Sequence, residues 1–172
     1  MKGKSVVLPH AYIRGDFSTV RIGRYCHVGT GTVIRPPYSP SAILANSTNP
    51  TTSKNKKAGS SSFLPLVIGS HTRIGSNCVI EASCVGSSVI IEDDCVIGQR
   101  VLVKDCCRIE AGSVIPEGMV IPPFSIVRGC PAQIVNNGET LPESCSVEIL
   151  DNSVKLFEDF VEKEKEKEET KQ

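Results

Sequence analysis

Three histidines (His10, His27 and His71) and eight cysteines are the residues of this 172-residue chain that could do acid–base, nucleophilic or metal chemistry. A catalytic zinc site needs three converging ligands and an open fourth position. No two histidines are close in sequence, no CxxC pair occurs, and none of Cys106, Cys130 and Cys145 has a histidine at ligand spacing. An acyl transfer would need one well-placed imidazole, for which His71 is the candidate; otherwise each histidine reads as a surface imidazole. Neither a glycine-rich phosphate loop nor a Ser/His/Asp arrangement is present. The 19 basic and 19 acidic residues balance, which removes a general electrostatic case for nucleic acid or an anionic membrane. No apolar run approaches bilayer length and the start MKGKSVVLPH lacks a signal-peptide core, so a soluble intracellular protein is expected.

The elements that would have to position these residues follow a period of six. From Ile68 to Ala132 one slot is always Ile or Val: Ile68, Ile74, Ile80, Val85, Ile91, Ile97, Val103, Ile109, Ile115, Ile121 and Val127. The single irregularity is the five-residue step from Ile80 to Val85. Four places after each anchor stands a slimmer residue, and Gly often follows the anchor directly. Hexapeptide periodicity marks a parallel β-helix, three short strands to a triangular coil. The anchor and the residue four later point inward, their neighbours outward. The fold expected is therefore all-β, a left-handed parallel β-helix of about five coils with a C-terminal α-helix on its flank. On this lattice Cys26, Cys78, Cys84, Cys95 and Cys107 take the slim inward slot, as small hydrophobes rather than metal ligands.

Val7, Ala11 and Ile13 read as the first hexads; the lattice slips across Arg14-Gly15-Asp16 and resumes at Ile22, Val28 and Ile34. The β-helix spans 1–135, interrupted at 36–63 by a Ser/Thr/Asn/Pro/Lys stretch expected to be a flexible loop. A turn at 136–142 leads to a helix at 143–165, where Val147, Leu150, Val154, Phe157 and Val161 recur at helical spacing. In the tail (166–172), like charges four apart should fray the last turns.

The residue before each anchor faces outward and sorts into three columns. One holds Val79, Val96 and Val114. The second holds Val67, Leu102 and Val120, with Cys84 between. The third alternates Arg73, Ile90, Arg108 and Ile126. Stacked apolar columns on two faces make contiguous patches of the kind that mark interfaces. A single helix can cover only one face, so a partner chain is expected on another. Outward valine also suits strands for its own sake.

Hexapeptide prisms host acyltransferases and γ-class carbonic anhydrases. IRGD (13–16), VRIG (20–23), the short step after Ile80, IPP (121–123), GCPA (129–132) and the final helix resemble the latter family in layout. That resemblance implies three histidine ligands at the positions of Arg35, Ser76 and Glu81, and the family's assisting glutamine at Gly29. Arg35 instead places a permanent positive charge where a cation would sit, and Ser76 is a poor ligand, so no metal and no cofactor are expected.

A closer likeness lies in IRGDFSTVRIGRYC (13–26), TVIRPPY (32–38), PLVIG (65–69), VIGQRVLVKDCCRI (96–109), IPPFSIVRGCPA (121–132) and GETLPE (138–143). These stretches resemble the dynactin subunit 5 family of pointed-end β-helix proteins. The resemblance implies a non-enzymatic scaffold in the cytoplasm and cytoskeleton. Its partners would be dynactin subunit 6, in a heterodimer, and other pointed-end subunits including the actin-related protein. Membrane contact would be indirect, through cargo adaptors, in dynein-driven transport. Arg14 and Asp16 would bridge subunits, or else form an internal pair at the bend. A carbonic-anhydrase-like protein with a degenerate metal site and a hexapeptide acyltransferase remain as alternatives. Family chains start well before IRGD, and a missing first coil would leave an uncapped sheet end.

Overall fold

In a computed structural model that describes residues 3–39, 63–135 and 141–169, the Ile and Val anchors form the inner wall of a left-handed parallel β-helix of about six turns. Face A stacks Val6–Val7, His27–Val28, Arg73–Ile74, Ile90–Ile91, Arg108–Ile109 and Ile126–Gly129. Face B stacks Tyr12–Ile13, Val33–Ile34, Val79–Ile80, Val96–Ile97 and Val114–Ile115. Face C stacks Val20–Ile22, Leu66–Ile68, Cys84–Val85, Leu102–Val103 and Val120–Ile121. At the far end Ala132–Ile134 folds back antiparallel on the last strand of face A. Ile34, Ile80, Ile91, Ile97, Ile109 and Ile121 are fully buried, each worth roughly 1.5–3 kcal/mol of stabilisation. The five-residue step is absorbed by Ala82, which is fully buried, so that Cys84 points outward between Val67 and Leu102 rather than inward.

Coils join at three corners, and the corner from face C to face A carries the helix. Lys4, Tyr25, His71, Ser88, Cys106 and Phe124 all hold left-handed backbone there. They stack coil on coil, with Ser88 N donating to Ser70 O at 2.9 Å, Cys106 N to Ser87 O at 3.0 Å and Phe124 N to Asp105 O at 3.2 Å. The chain returns at Leu141, whose N–H donates to Phe124 O at 2.9 Å. The helix Ser144–Glu169 then runs back along the stack. Ser153 reaches His71, Oγ to Nδ1 at 2.6 Å, and Phe157 meets the Tyr25 ring edge-on at 6.0 Å. A helical turn rises about 5.4 Å and a coil about 4.8 Å, so every fourth residue finds a corner.

Of the stripe expected at Val147, Leu150, Val154, Phe157 and Val161, the last three are half-buried, while the docking differs at the first two. Ile149 is buried, whereas Val147 is 58% and Leu150 36% exposed. The inward stripe is rotated because polar corners accept small or polar helix residues (Cys145, Ser153) that a hydrophobicity pattern passes over. The helix also continues to Glu169, four residues beyond its expected end. Lys167 pairs with Glu164 at 2.8 Å in that last stretch. Residues 40–62, the core of the expected loop, and 136–140 of the expected turn lie outside the described residues.

Between helix and face A lies a cleft of about 60 Å³ lined by His27, His71, Arg73, Ile149, Ser153 and Leu156 among others. His27 Nδ1 is buried in the structure without a hydrogen-bond partner. Burial holds the His71 pKa below its ordinary 6.5, and burial, then Arg73, does the same for His27. Above 6.5 both rings are neutral in the folded and the unfolded chain, and stability is undiminished. As pH falls from 6.5 towards the depressed folded values, the unfolded chain takes up protons that the folded one refuses, and stability falls. Thermal melts should therefore show a lower Tm near pH 5.5 than near pH 7.5, with a smaller difference in a His27→Gln/His71→Gln variant. An unchanged difference would take the imidazoles out of the account.

Candidate interaction surface

Several of the chemistry-bearing residues spend their polar groups within the fold, His27 Nδ1 being an exception. Arg35 follows face B and Glu81 follows it one coil on, at the corner from face B to face C. Arg35 donates through Nε and Nη2 to Glu81 Oε1. Glu81 is buried while the Arg35 side chain stays half exposed. Ser76 stands at a different corner, where its backbone N–H donates to Asp93 Oδ1 at 2.6 Å. Two of the three positions singled out for metal are thus brought together, as an ion pair. Among the described residues no three His, Cys, Asp or Glu side chains are grouped as metal ligands would be.

His71, the one candidate base, is held by Ser153 and stacked on Tyr25 with ring centroids 5.1 Å apart. With the Ser153 hydroxyl donating to Leu150 O at 2.8 Å, His71 Nδ1–H donates to Ser153 Oγ. His10 lies exposed at the corner from face A to face B. The inward cysteines donate their thiols to carbonyls one coil on: Cys26 to Gly69 O at 3.0 Å, Cys78 to Glu92 O at 3.1 Å, Cys95 to Glu110 O at 3.2 Å and Cys107 to Pro122 O at 3.0 Å. Burial pushes the Cys26 and Cys107 thiols up, away from the nucleophilic thiolate.

Arg14 and Asp16 form a local pair, Nη2 to Oδ2 at 2.8 Å, both half exposed. The guanidinium also lies 4.5 Å from the Phe17 ring. Phe17 stacks on Phe63 at 4.5 Å, and Tyr38 packs edge-on against Phe63 at 5.6 Å. Tyr38 and Phe63 bridge antiparallel across the 40–62 segment. This aromatic clasp was not singled out from sequence, because Phe63 stands at the end of a polar stretch with no periodic neighbours.

The outward columns fall in register as their spacing predicts. Val79, Val96 and Val114 are successive partners on face B; Val67, Cys84, Leu102 and Val120 are successive partners on face C. Val120 is 53% and Tyr12 62% exposed. The helix lies along the alternating column of face A, and among the described residues no helix covers either apolar face, where Val67, Val96 and Val120 are exposed.

Truncating Arg35 to Ala would strand the buried Glu81 carboxylate. A fully buried pair loses 3–5 kcal/mol on losing one partner; with Arg35 half exposed, about 1–3 kcal/mol is expected. Urea unfolding should show that loss, and an Arg35→Ala/Glu81→Leu double variant should recover most of it. Additive losses in the double variant would mean that the two side chains are not coupled.

A family model described as Dynactin subunit 5 matches residues 1–164. Dynactin subunit 5 of Dictyostelium discoideum is 33% identical over 85 residues, covering 49% of this chain and 35% of that relative. The match therefore spans about a third of that curated relative's length. Among solved structures, a hexapeptide-repeat acetyltransferase from Vibrio cholerae, complexed with acetyl coenzyme A, aligns with TM-score 0.51 and 18% identity. It covers 81% of this chain and 72% of that one. A hexapeptide transferase family protein from Anaplasma phagocytophilum gives TM-score 0.49 and 16% identity, covering 89% of each chain. At such identities the Vibrio structure shows a shared β-helical fold and nothing of shared chemistry. The family match covers nearly the whole chain: it belongs to the dynactin subunit 5 family.

Proposed function

We propose that the chain is a non-enzymatic scaffold subunit of the dynactin pointed end, pairing side by side with a second hexapeptide prism, dynactin subunit 6. The observation that carries this is the pair of uncovered apolar columns, Val79-Val96-Val114 on face B and Val67-Leu102-Val120 on face C. Contiguous exposed apolar strips on a rigid support are what a lateral interface requires. In this reading the subunit works in the cytoplasm on the cytoskeleton. It contacts the actin-related protein and other pointed-end subunits, and supports dynein-driven movement of endosomal cargo along microtubules. Arg14 and Asp16, half exposed beside Phe17, belong to the surface available to a partner.

Neighbouring residues on one strand separate fold from assembly. Ile97→Asp puts a charge into the prism and should abolish cooperative unfolding. Val96→Asp and Val120→Asp should melt within about 1 kcal/mol of the parent. At least one of these two should lower affinity for co-purified dynactin subunit 6 by tenfold or more in sedimentation. Retention of pairing by both, or threefold self-association of the parent chain with transferase activity, would contradict the scaffold reading and favour the enzyme classes.

A further inference from the structure

Two of the eight cysteines are left over by the lattice and lie on opposite sides of one seam. Cys26, Cys78, Cys95 and Cys107 are inward, Cys84 faces out from face C, and Cys130 is exposed beyond the last full coil. Cys106 stands at the corner under the helix, and Cys145 in the first turn of that helix. At the corner from face A to face B the equivalent residues His10, Asn77 and Asp94 are exposed, but Cys106 is only 7% exposed and Ser88 likewise 7%. The helix covers them.

Backbone register fixes what covers each. Leu141 N bonds to Phe124 O at 2.9 Å, which sets the start. Four residues beyond Leu141, in the first turn of the helix, is Cys145, and one coil back from Phe124 is Cys106. The same stepping brings Ile149 over Ser88 and Ser153 over His71, and the last of these is a contact of 2.6 Å. This stepping places Cys145 on the same step of the seam as Cys106, next to the point where the two segments touch backbone to backbone. The Cys106 thiol is pushed up by burial, then by Asp105 and Cys145, in keeping with that placement.

We propose that Cys106 and Cys145 are a modification site, a dithiol that closes to an intrachain disulfide by exchange with a glutathione-type disulfide and so fastens the helix to the prism. Cys145, half exposed, attacks first as its thiolate; one glutathione leaves as thiolate and takes up a proton, giving a mixed disulfide on Cys145. Cys106 then loses its proton to solvent and attacks the Cys145 sulfur, and the second glutathione leaves. Two protein thiols are oxidised to one disulfide, and one glutathione disulfide is reduced to two thiols. Cys106, buried and held protonated, suits the resolving step rather than the first attack. This site is independent of the scaffold function proposed above.

The test uses the full chain with the exposed Cys130 changed to Ser, incubated folded with glutathione disulfide, then alkylated and mapped without reduction. The expected product is about 2 Da lighter than the dithiol, carries a Cys106–Cys145 linked peptide, and reverts with dithiothreitol. Fastening should raise Tm by about 5–10 °C. Cys106→Ser should stop at the mixed disulfide on Cys145, and neither single variant should gain in Tm. Absence of the linked peptide in protein that remains folded would overturn the proposal, as would linkage of Cys78 to Cys95 or linkage between molecules.

Discussion

Each coil hands its backbone hydrogen bonds to the next at a fixed spacing: Gly23 N to Ile68 O at 2.9 Å, Gly69 N to Val85 O at 2.8 Å, Gly86 N to Val103 O at 2.9 Å, Lys104 N to Ile121 O at 3.1 Å. This ladder dictates the rest. It places anchor over anchor, so the interior is a column of β-branched side chains in contact through the whole length. It also explains the glycine after many anchors. A Cβ on Gly69 would come within 2.5 Å of the Gly86 carbonyl carbon, and one on Gly29 within 2.4 Å of that of Gly75. The slim inward slot is constrained in the same way, since a thiol or hydroxyl there must fit the prism while reaching the next coil's carbonyl.

Because the ladder spends the backbone along the axis, the outer surfaces are defined by side chains alone, and the three faces differ. Face A mixes arginine with isoleucine and is edged by the corner that carries Tyr25 and His71. It offers hydrogen-bonding, stacking and apolar contacts together, and the helix takes it. Faces B and C offer apolar side chains with little to orient a helix, and stay open among the described residues. Their common corner is tied by the Arg35–Glu81 and Arg100–Glu117 pairs. At this corner the Arg35 charge is neutralised by Glu81 within the chain.

Much of this was legible in the sequence, because a period of six leaves few alternatives. The anchors, the outward columns and their register follow from counting, and the placement of His10, His71 and His27 follows from the same count. The direction of Cys84 did not, because the five-residue step shifts the inward slot to Ala82. The first part of the helix stripe, Val147 and Leu150, was misjudged for a physical reason. Val147 and Leu150 match a hydrophobic pattern better than Cys145 and Ser153, yet the docking surface is a row of left-handed corners that rewards small and polar residues. The Arg35–Glu81 pair needed knowledge that sites 46 residues apart become neighbours on adjacent coils, a separation that the intervening polar segment conceals.

The central claim is that, among the described residues, the helix takes face A and leaves faces B and C open. Single cysteines at Val96, Leu102 and Ile90, each introduced separately and labelled with a thiol reagent under native conditions, test it most directly. The account predicts rapid labelling at 96 and 102 in the isolated chain, slow labelling at 90 beneath the helix, and protection of 96 or 102 once the chain is assembled with its partners. Fast labelling at 90 with protection at both 96 and 102 in the isolated chain would place the helix on the wrong face and contradict it.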